Sequence, residues 1–316
     1  MKLLVTGSSG FVGGRLVERC VNNQWGVCSV SRIRPRGDNL PNTFIVNNID
    51  GDTDWSGAFE NVNCVVHCAA RVHKMNESKM DALEAYREIN TAGTLNLAKQ
   101  AVTAGIKRFV YVSSIKVNGE FTKPKQPFSP SLTYLPDDPY GLSKYEAETQ
   151  LHQLAKETGL EVVIIRPPLV YGPGVKANFL SMIRWVEKGI PLPLGSIYNL
   201  RSLVYIDNLV DLILTCCSHP KAIGETFLVS DDKDISTTQL LNAVSVAMGK
   251  SSRLLPIPMS FISFSASLIG MPEISKRLCG SLQVDISHTK NTLTWAPPVT
   301  FEEGIKRTVQ AYLDSR

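Results

Sequence analysis

The 316-residue chain has no long block of either charge: 33 Lys and Arg stand against 29 Asp and Glu, a net charge of +4. A surface so nearly balanced has no electrostatic footprint for nucleic acid, which is therefore not expected as a partner; a small bias toward anionic small molecules is left. Long apolar runs are also missing. The most apolar late stretch, 261–271, contains serine and falls below the roughly 20 residues that a spanning helix needs, so it reads as an amphipathic helix, with contact at a membrane surface as the alternative. No charged region, apolar stretch and small-residue cleavage site precede the first strand, and no secretory signal is expected. Cysteine is sparse, seven in all without a spaced framework, which speaks against a disulfide scaffold and for reduced thiols in a cytoplasmic setting. Cys64, His67 and Cys68 fall in NCVVHCAA, an apolar run that reads as a buried strand, so core packing is expected there and not metal ligation.

What is present is ordinary for a soluble globular protein of one large or two modest domains, 43% hydrophobic and 20% charged. KLLVT reads as a strand and leads straight into GSSGFVGGRLVERCV, where Gly7, Gly10 and Gly13 are spaced three apart before a helical pattern, with Phe11 and Val12 between them. Such a turn lets backbone approach a pyrophosphate and offers it the partly positive helix N-terminus. A second strand, 26–31, ends without the acidic residue that would hold a ribose 2′-hydroxyl. Ser31 and Arg32 stand there, with Arg34 and Arg36 beyond, and a hydroxyl beside a guanidinium suits a 2′-phosphate, so NADP(H) is preferred and NAD(H) remains possible; a solvated basic loop is the alternative. A third strand, 44–49, leads to a polar loop holding Asp50, placed to flank an adenine. A fourth, 62–70, ends in Ala69 and Ala70, small enough for a cofactor to lie over them. A helix spans 81–104, bent near Asn90 and Gly93, and Asn90 is either functional or part of the kink. A fifth strand begins at Arg108 and delivers Ser113 and Ser114 to its C-terminal end, where parallel sheets bind ligands. DDPYGLSK then opens a helix with Tyr140 and Lys144 one turn apart on one face, either a surface pair or an acid/base whose phenol pKa the lysine lowers.

TGSSGFVG, HCAA, SSIKVNG, YGLSK and RPPLVYGPG occur in the order seen in the extended short-chain dehydrogenase/reductase family of nucleotide-sugar epimerases, dehydratases and reductases, and the resemblance covers nearly the whole chain. It implies an α/β protein, a Rossmann-type doubly wound parallel sheet (1–170) with a smaller mixed α/β nucleotide-sugar domain (171–316), of which about 203–216 packs back on the first. It implies Ser114, Tyr140 and Lys144 as the catalytic set, with Tyr140, Lys144 and Pro167 also at the cofactor. Lys116, Asn118, Asn178, Gly195 and Arg201 are carried over as substrate-binding, Asn178 in place of the asparagine that family members have where Leu169 stands, and Arg201 on the diphosphate of a UDP-sugar. Asp207 is expected to cap a helix. The resemblance leaves a homodimer possible.

The family's 4,6-dehydratases carry an Asp-Glu pair directly after the catalytic hydroxyl residue; Ile115 and Lys116 stand here, which excludes elimination. Ser31, Arg32, the Asn118 of SSIKVNGE and the AARVH string most resemble bacterial enzymes of the UDP-N-acetylquinovosamine pathway. The expectation is therefore NADPH-dependent reduction of a UDP-4-keto-6-deoxy-N-acetylhexosamine at carbon 4, for surface polysaccharide synthesis. A UDP-N-acetylhexosamine or UDP-glucose 4-epimerase with bound NAD is the second reading. A non-catalytic NADP-sensing protein is the third.

Overall fold

The computed structural model describes residues 1–32, 42–72, 79–268, 276 and 278–316. Its larger sheet is built from β1 (Lys2–Thr6), β2 (Gly26–Ser31), β3 (Asn42–Ile45), β4 (Cys64–His67), β5 (Arg108–Val112), β6 (Glu161–Arg166) and β9 (Thr226–Leu228). All seven run parallel, in the order β3-β2-β1-β4-β5-β6-β9. The inner strands are apolar on both faces because helices cover both, and alternate residues part cleanly. Leu3, Val5, Val66, Val110, Val163 and Ile165 join one core with Leu16 of α1 (Phe11–Asn22) and Leu209 and Ile213 of α6 (Ile206–Ser218). Leu4, Val65, Phe109, Tyr111, Val162 and Ile164 join the other, with Leu97 of α3 (Thr94–Thr103) and Ala147 and Leu151 of α4 (Pro139–Thr158).

A second, mixed sheet pairs β7 (Leu169–Tyr171) in parallel with β8 (Arg201–Tyr205), and β8 antiparallel with β10 (Asp234–Ile235). The 203–216 segment divides: Leu203–Tyr205 lies in this sheet and α6 packs against α1, β4 and β5. Asp207 does not cap α6. Its carboxylate accepts from Arg15 Nε at 2.6 Å and Nη2 at 3.0 Å, fastening α6 to α1. α7 (Thr237–Ala247) follows β10, with Ser236 and Gln239 forming a reciprocal capping box at its start.

Four elements differ from the sequence reading, the fourth strand among them, which keeps only Cys64–His67 of the expected 62–70. The third strand ends at Ile45, since 46–53 turn away from β2. β5 stops at Val112, because Ser114 accepts from the Lys116 amide at 3.3 Å and starts a 3-10 turn, Ile115–Val117, followed by Gly119 at φ +138°. The bend near Asn90 and Gly93 is a π-helical turn, Arg87–Gly93, between α2 (Lys79–Tyr86) and α3. A Cβ on Gly93 would stand 2.8 Å from the Ile49 carbonyl oxygen, so the turn lies directly on the Asp50 loop. Arg34, Arg36 and the His73 of AARVH lie outside the described residues. The 261–271 helix is described as α8 (Met259–Leu268). No helix among the described residues is long and apolar enough to cross a membrane.

Candidate active site

At the C-terminal end of β1 the chain turns at Gly7, whose φ of +67° favours glycine, and the Gly10 amide donates back to the Gly7 carbonyl at 2.9 Å. A Cβ on Gly13 would fall 2.3 Å from that carbonyl, and one on Gly7 would fall 2.8 Å from the Ala69 amide nitrogen. Side chains are thus excluded where β1, β4 and α1 converge, and no side chain caps α1 at Gly10. The result is a bare backbone cradle at a helix N-terminus, and these residues fit a dinucleotide diphosphate. Phe11 and Val12 start α1 and pack partly against the core. Ser31 is half-buried and Arg32 exposed at the end of β2, Ala69 and Ala70 are half-buried beside the cradle, and Pro167 is buried, its carbonyl accepting from the Ile115 amide at 3.0 Å. The Asp50 carboxylate accepts from the Thr53 hydroxyl (2.9 Å) and the Asp52 amide (3.1 Å), which hold its pKa below the usual range; its side chain makes the loop's turn.

Behind the cradle runs a buried chain of hydrogen bonds. Thr6 Oγ1 accepts from the Ala69 amide (3.2 Å) and is 2.7 Å from His67 Nδ1; His67 Nε2 is 2.9 Å from Thr94 Oγ1, which donates to the Asn90 carbonyl at 2.7 Å. The directions agree if Thr6 donates to Nδ1 and the Nε2 proton goes to Thr94, so a neutral ring is required. Burial pushes the His67 pKa down to about 3, with the Lys144 charge as a lesser cause. An unfolded histidine titrates near pH 6.5, so between there and pH 3 the unfolded chain binds a proton that the fold refuses, and stability is lost as pH falls. This ring is expected to remove about 1.4 kcal/mol per pH unit through that window. Urea unfolding at pH 7 and pH 5.5 should show a larger loss in the parent than in His67→Gln; parallel losses would mean that the ring is not held neutral.

α4 brings the reacting groups together. Asp138 caps it, accepting from the amides of Tyr140 (3.3 Å) and Gly141 (2.9 Å), with Pro139 at the first helical position. A Cβ on Gly141 would lie 2.6 Å from the Lys116 carbonyl oxygen, so the first turn of α4 rests on the 3-10 turn behind Ser114. The Tyr140 ring packs edge-on to Tyr86 at 5.8 Å, and the Ser114 side chain beside its phenol favours the phenolate form. Ser113 cannot serve the same purpose, because its buried hydroxyl donates to Glu148 Oε1 at 2.5 Å. Lys144 is 1% exposed. Its Nζ donates to the Val112 carbonyl at 3.1 Å and lies 4.6 Å from the centre of the Tyr111 ring. Burial pushes the Lys144 pKa down to about 8, opposed chiefly by the Glu148 charge. The expected lowering of the Tyr140 pKa is not found: burial first, then the charges of Asp138 and Tyr86, hold the phenol well above its ordinary range, and only the Ser114 side chain opposes them.

Of the carried-over substrate residues, two have other duties. Asn118 is buried, donating to the Ser129 carbonyl (2.8 Å) and accepting from Arg166 Nη1 (3.1 Å), so its amide is satisfied inside the fold. Gly195 is small because a Cβ would stand 2.8 Å from the Leu255 backbone, to which its amide donates at 2.8 Å. Lys116 Nζ donates to Glu120 (2.7 Å) and Asp138 (3.3 Å). Asn178 is exposed in the first turn of α5 (Ala177–Glu187), and Leu169 is 42% exposed. Arg201 opens β8, donates to the Gly280 carbonyl at 3.3 Å, and has its pKa lowered by burial. Sequence reasoning missed Asp138, Glu148 and Arg166. Asp before Pro was a readable cap signal, whereas Glu148 stands one turn beyond Lys144 and was never followed down the helix face.

Residues 3–230 match the NAD dependent epimerase/dehydratase family. The UDP-glucose 4-epimerase of Vibrio cholerae is 51% identical over 315 residues, 99% of this chain and 96% of that protein. UDP-glucuronic acid 4-epimerase from Bacillus cereus, solved in complex with NAD, aligns over 100% of this chain and 99% of its own at a TM-score of 0.79 and 21% identity. UDP-glucose 4-epimerase from Thermotoga maritima, solved with UDP-glucose, aligns over 100% and 99% at 0.75 and 24% identity. At those identities the two structures establish the fold. The Vibrio relative overturns the expectation of a carbon-4 keto reductase. That expectation rested on Ser31 and Arg32, a local cofactor signal for which no support is found among these relatives, and on Asn118, whose amide is buried in the Arg166 network. A nicotinamide dinucleotide site and a doubly wound fold stand, and the chain belongs to the NAD dependent epimerase/dehydratase family.

Proposed function

We propose that the chain is a UDP-hexose 4-epimerase that works with bound NAD, with UDP-glucose and UDP-galactose as the substrate pair. The observation that carries this is the 51% identity, across 99% of the chain, to a UDP-glucose 4-epimerase. The Ser114, Tyr140 and Lys144 arrangement supports it, as do the apolar Ile115 and cationic Lys116 where elimination would need carboxylates. The proposed division assigns residues 1–170 to the cofactor and 171–316 to the nucleotide sugar, with α6 returned to the first part.

NAD, when bound, supplies a hydride acceptor and donor for carbon 4 and a positively charged ring. Gly7, Gly10 and Gly13 leave room for its diphosphate. Ser114 orients the 4-oxygen by hydrogen bonding. Tyr140 takes the hydroxyl proton as carbon 4 is oxidised and returns it once the keto sugar has presented its other face. The free phenol is protonated at neutral pH, so its base form arises only when the site is filled. Lys144 supplies positive charge and a donor beside the cofactor ribose. Arg201 is proposed to hold the UDP diphosphate, a forked cation suited to phosphate oxygens.

The test is to incubate purified protein with UDP-galactose and catalytic NAD and to resolve the sugars chromatographically. A mixture of both epimers with no net formation of NADH is expected; conversion of the added NAD to NADH without epimer formation, or unchanged UDP-galactose, would overturn the proposal.

A further inference from the structure

Three successive residues at the end of β5 meet three residues spaced one turn apart on α4. The Val112 carbonyl receives Lys144 Nζ at 3.1 Å, the Ser113 hydroxyl donates to Glu148 Oε1 at 2.5 Å, and Ser114 lies beside Tyr140, whose phenolate it favours. Residues 140, 144 and 148 form one stripe of the helix, so these contacts set both its rotation and its height against the strand. Glu148 is 2% exposed, and its carboxylate is gripped from β6 by Arg166 through Nε (3.0 and 3.2 Å) and Nη2 (2.5 Å). Arg166 is held in turn by the Asn118 amide oxygen (3.1 Å) and the Pro130 carbonyl (2.9 Å). A buried carboxylate fixed on two sides is costly to build and difficult to displace.

We propose that Glu148 is a positioning residue of the site: clamped by Ser113 and Arg166, it fixes the register in which Ser114 faces Tyr140, and it stands as the counter-charge of Lys144. Lys144 is faced by Glu148 from α4, by His67 and Cys68 from the end of β4, and by the Tyr111 ring from β5. Other charges on the elements around α4 are engaged elsewhere, Arg87 with Glu146 and Lys116 with Asp138. His67 is neutral and the Cys68 thiol is pushed up by burial to about 12, which leaves Glu148 as the anion acting on the lysine near pH 8. Without it the ammonium would sit in an apolar pocket with a carbonyl and a ring face for company, where desolvation favours the neutral amine.

The inference rests on the proposed function only for the part Lys144 takes in the reaction. Its test is read on ligand-free protein, so failure of the two can be told apart. The pH dependence of the Lys144 13Cε resonance is followed in lysine-labelled protein and assigned with Lys144→Met. The expected midpoint is near pH 8 in the parent, lower by about one unit or more in Glu148→Gln, and close to the parent in Glu148→Asp, which keeps the charge. Should Glu148→Gln fail to fold with its guanidinium orphaned, the Glu148→Gln/Arg166→Met pair removes that strain, and the same fall is expected. An unmoved midpoint in Glu148→Gln or in the pair overturns the proposal. Equal falls in Glu148→Gln and Glu148→Asp overturn it as well, since they would report disturbed packing and not lost charge.

Discussion

Tyr140→Phe is expected to lower turnover by about 100-fold or more while cofactor content stays at the parental level, since a positioned acid/base contributes about 10²–10⁴. The substitution removes one oxygen. The ring keeps its edge-on packing against Tyr86 at 5.8 Å, and Asp138 still caps the helix through backbone amides. What disappears is the hydroxyl beside Ser114, the group through which a proton can leave or reach the sugar oxygen. Steady-state rates of UDP-galactose conversion, read beside the NAD released on denaturation, separate the two effects. A phenylalanine variant within tenfold of the parent would remove Tyr140 from the chemistry, and lost NAD would show that the change had damaged the fold instead.

The largest effect on stability is expected from Arg166→Met. Arg166 and Glu148 have side chains 5% and 3% exposed, and the guanidinium satisfies a carboxylate, an amide and a carbonyl at once. Removing it leaves Glu148 buried and charged with Ser113 as its remaining donor among these partners, and breaking such a pair from one side costs about 3–5 kcal/mol. Urea unfolding at pH 7.5 gives the measure. Adding Glu148→Gln to Arg166→Met should recover part of the loss, because no charge is then stranded; a single variant within about 1 kcal/mol of the parent would mean that the pair is solvated.

Much of this was readable before the fold was seen, for local reasons. Glycines at 7, 10 and 13 announce a backbone cradle because nothing else fits, and the unbroken burial of KLLVT, RFVYV and EVVIIR follows from a parallel sheet covered on both faces. Tyr140 and Lys144 could be placed on one helix face by counting. What counting could not supply was the company that each residue keeps. Ser113 and Ser114 are equivalent on paper and divided in space, because the strand alternation turns one inward to Glu148 and the other toward Tyr140. Asn118 was carried over as a substrate ligand by resemblance alone; its partners, Ser129 and Arg166, are 11 and 48 residues away. Gly195 likewise answers to Leu255, on a segment 60 residues later. The cofactor preference failed to gain support in the same manner, since two residues at a strand end cannot report how a sugar turns in another part of the chain.

The path of the chain between its two sheets has a consequence for synthesis. β6 lies in the large sheet, β7 and β8 in the small one, and β9 returns to pair with β6. The large sheet is therefore not finished when residue 170 leaves the ribosome. Until residues 206–228 follow, β6 is an open edge, and the face of α1 and the strands that carries Leu16, Cys20 and Cys64 has no cover from α6. An unpaired edge beside bare apolar surface invites the wrong neighbour. A nascent chain paused anywhere in that interval holds its glycine turn and its tyrosine helix on a half-roofed sheet, so the interval from 170 to 228 is where this protein is most exposed to aggregation and most in need of a chaperone.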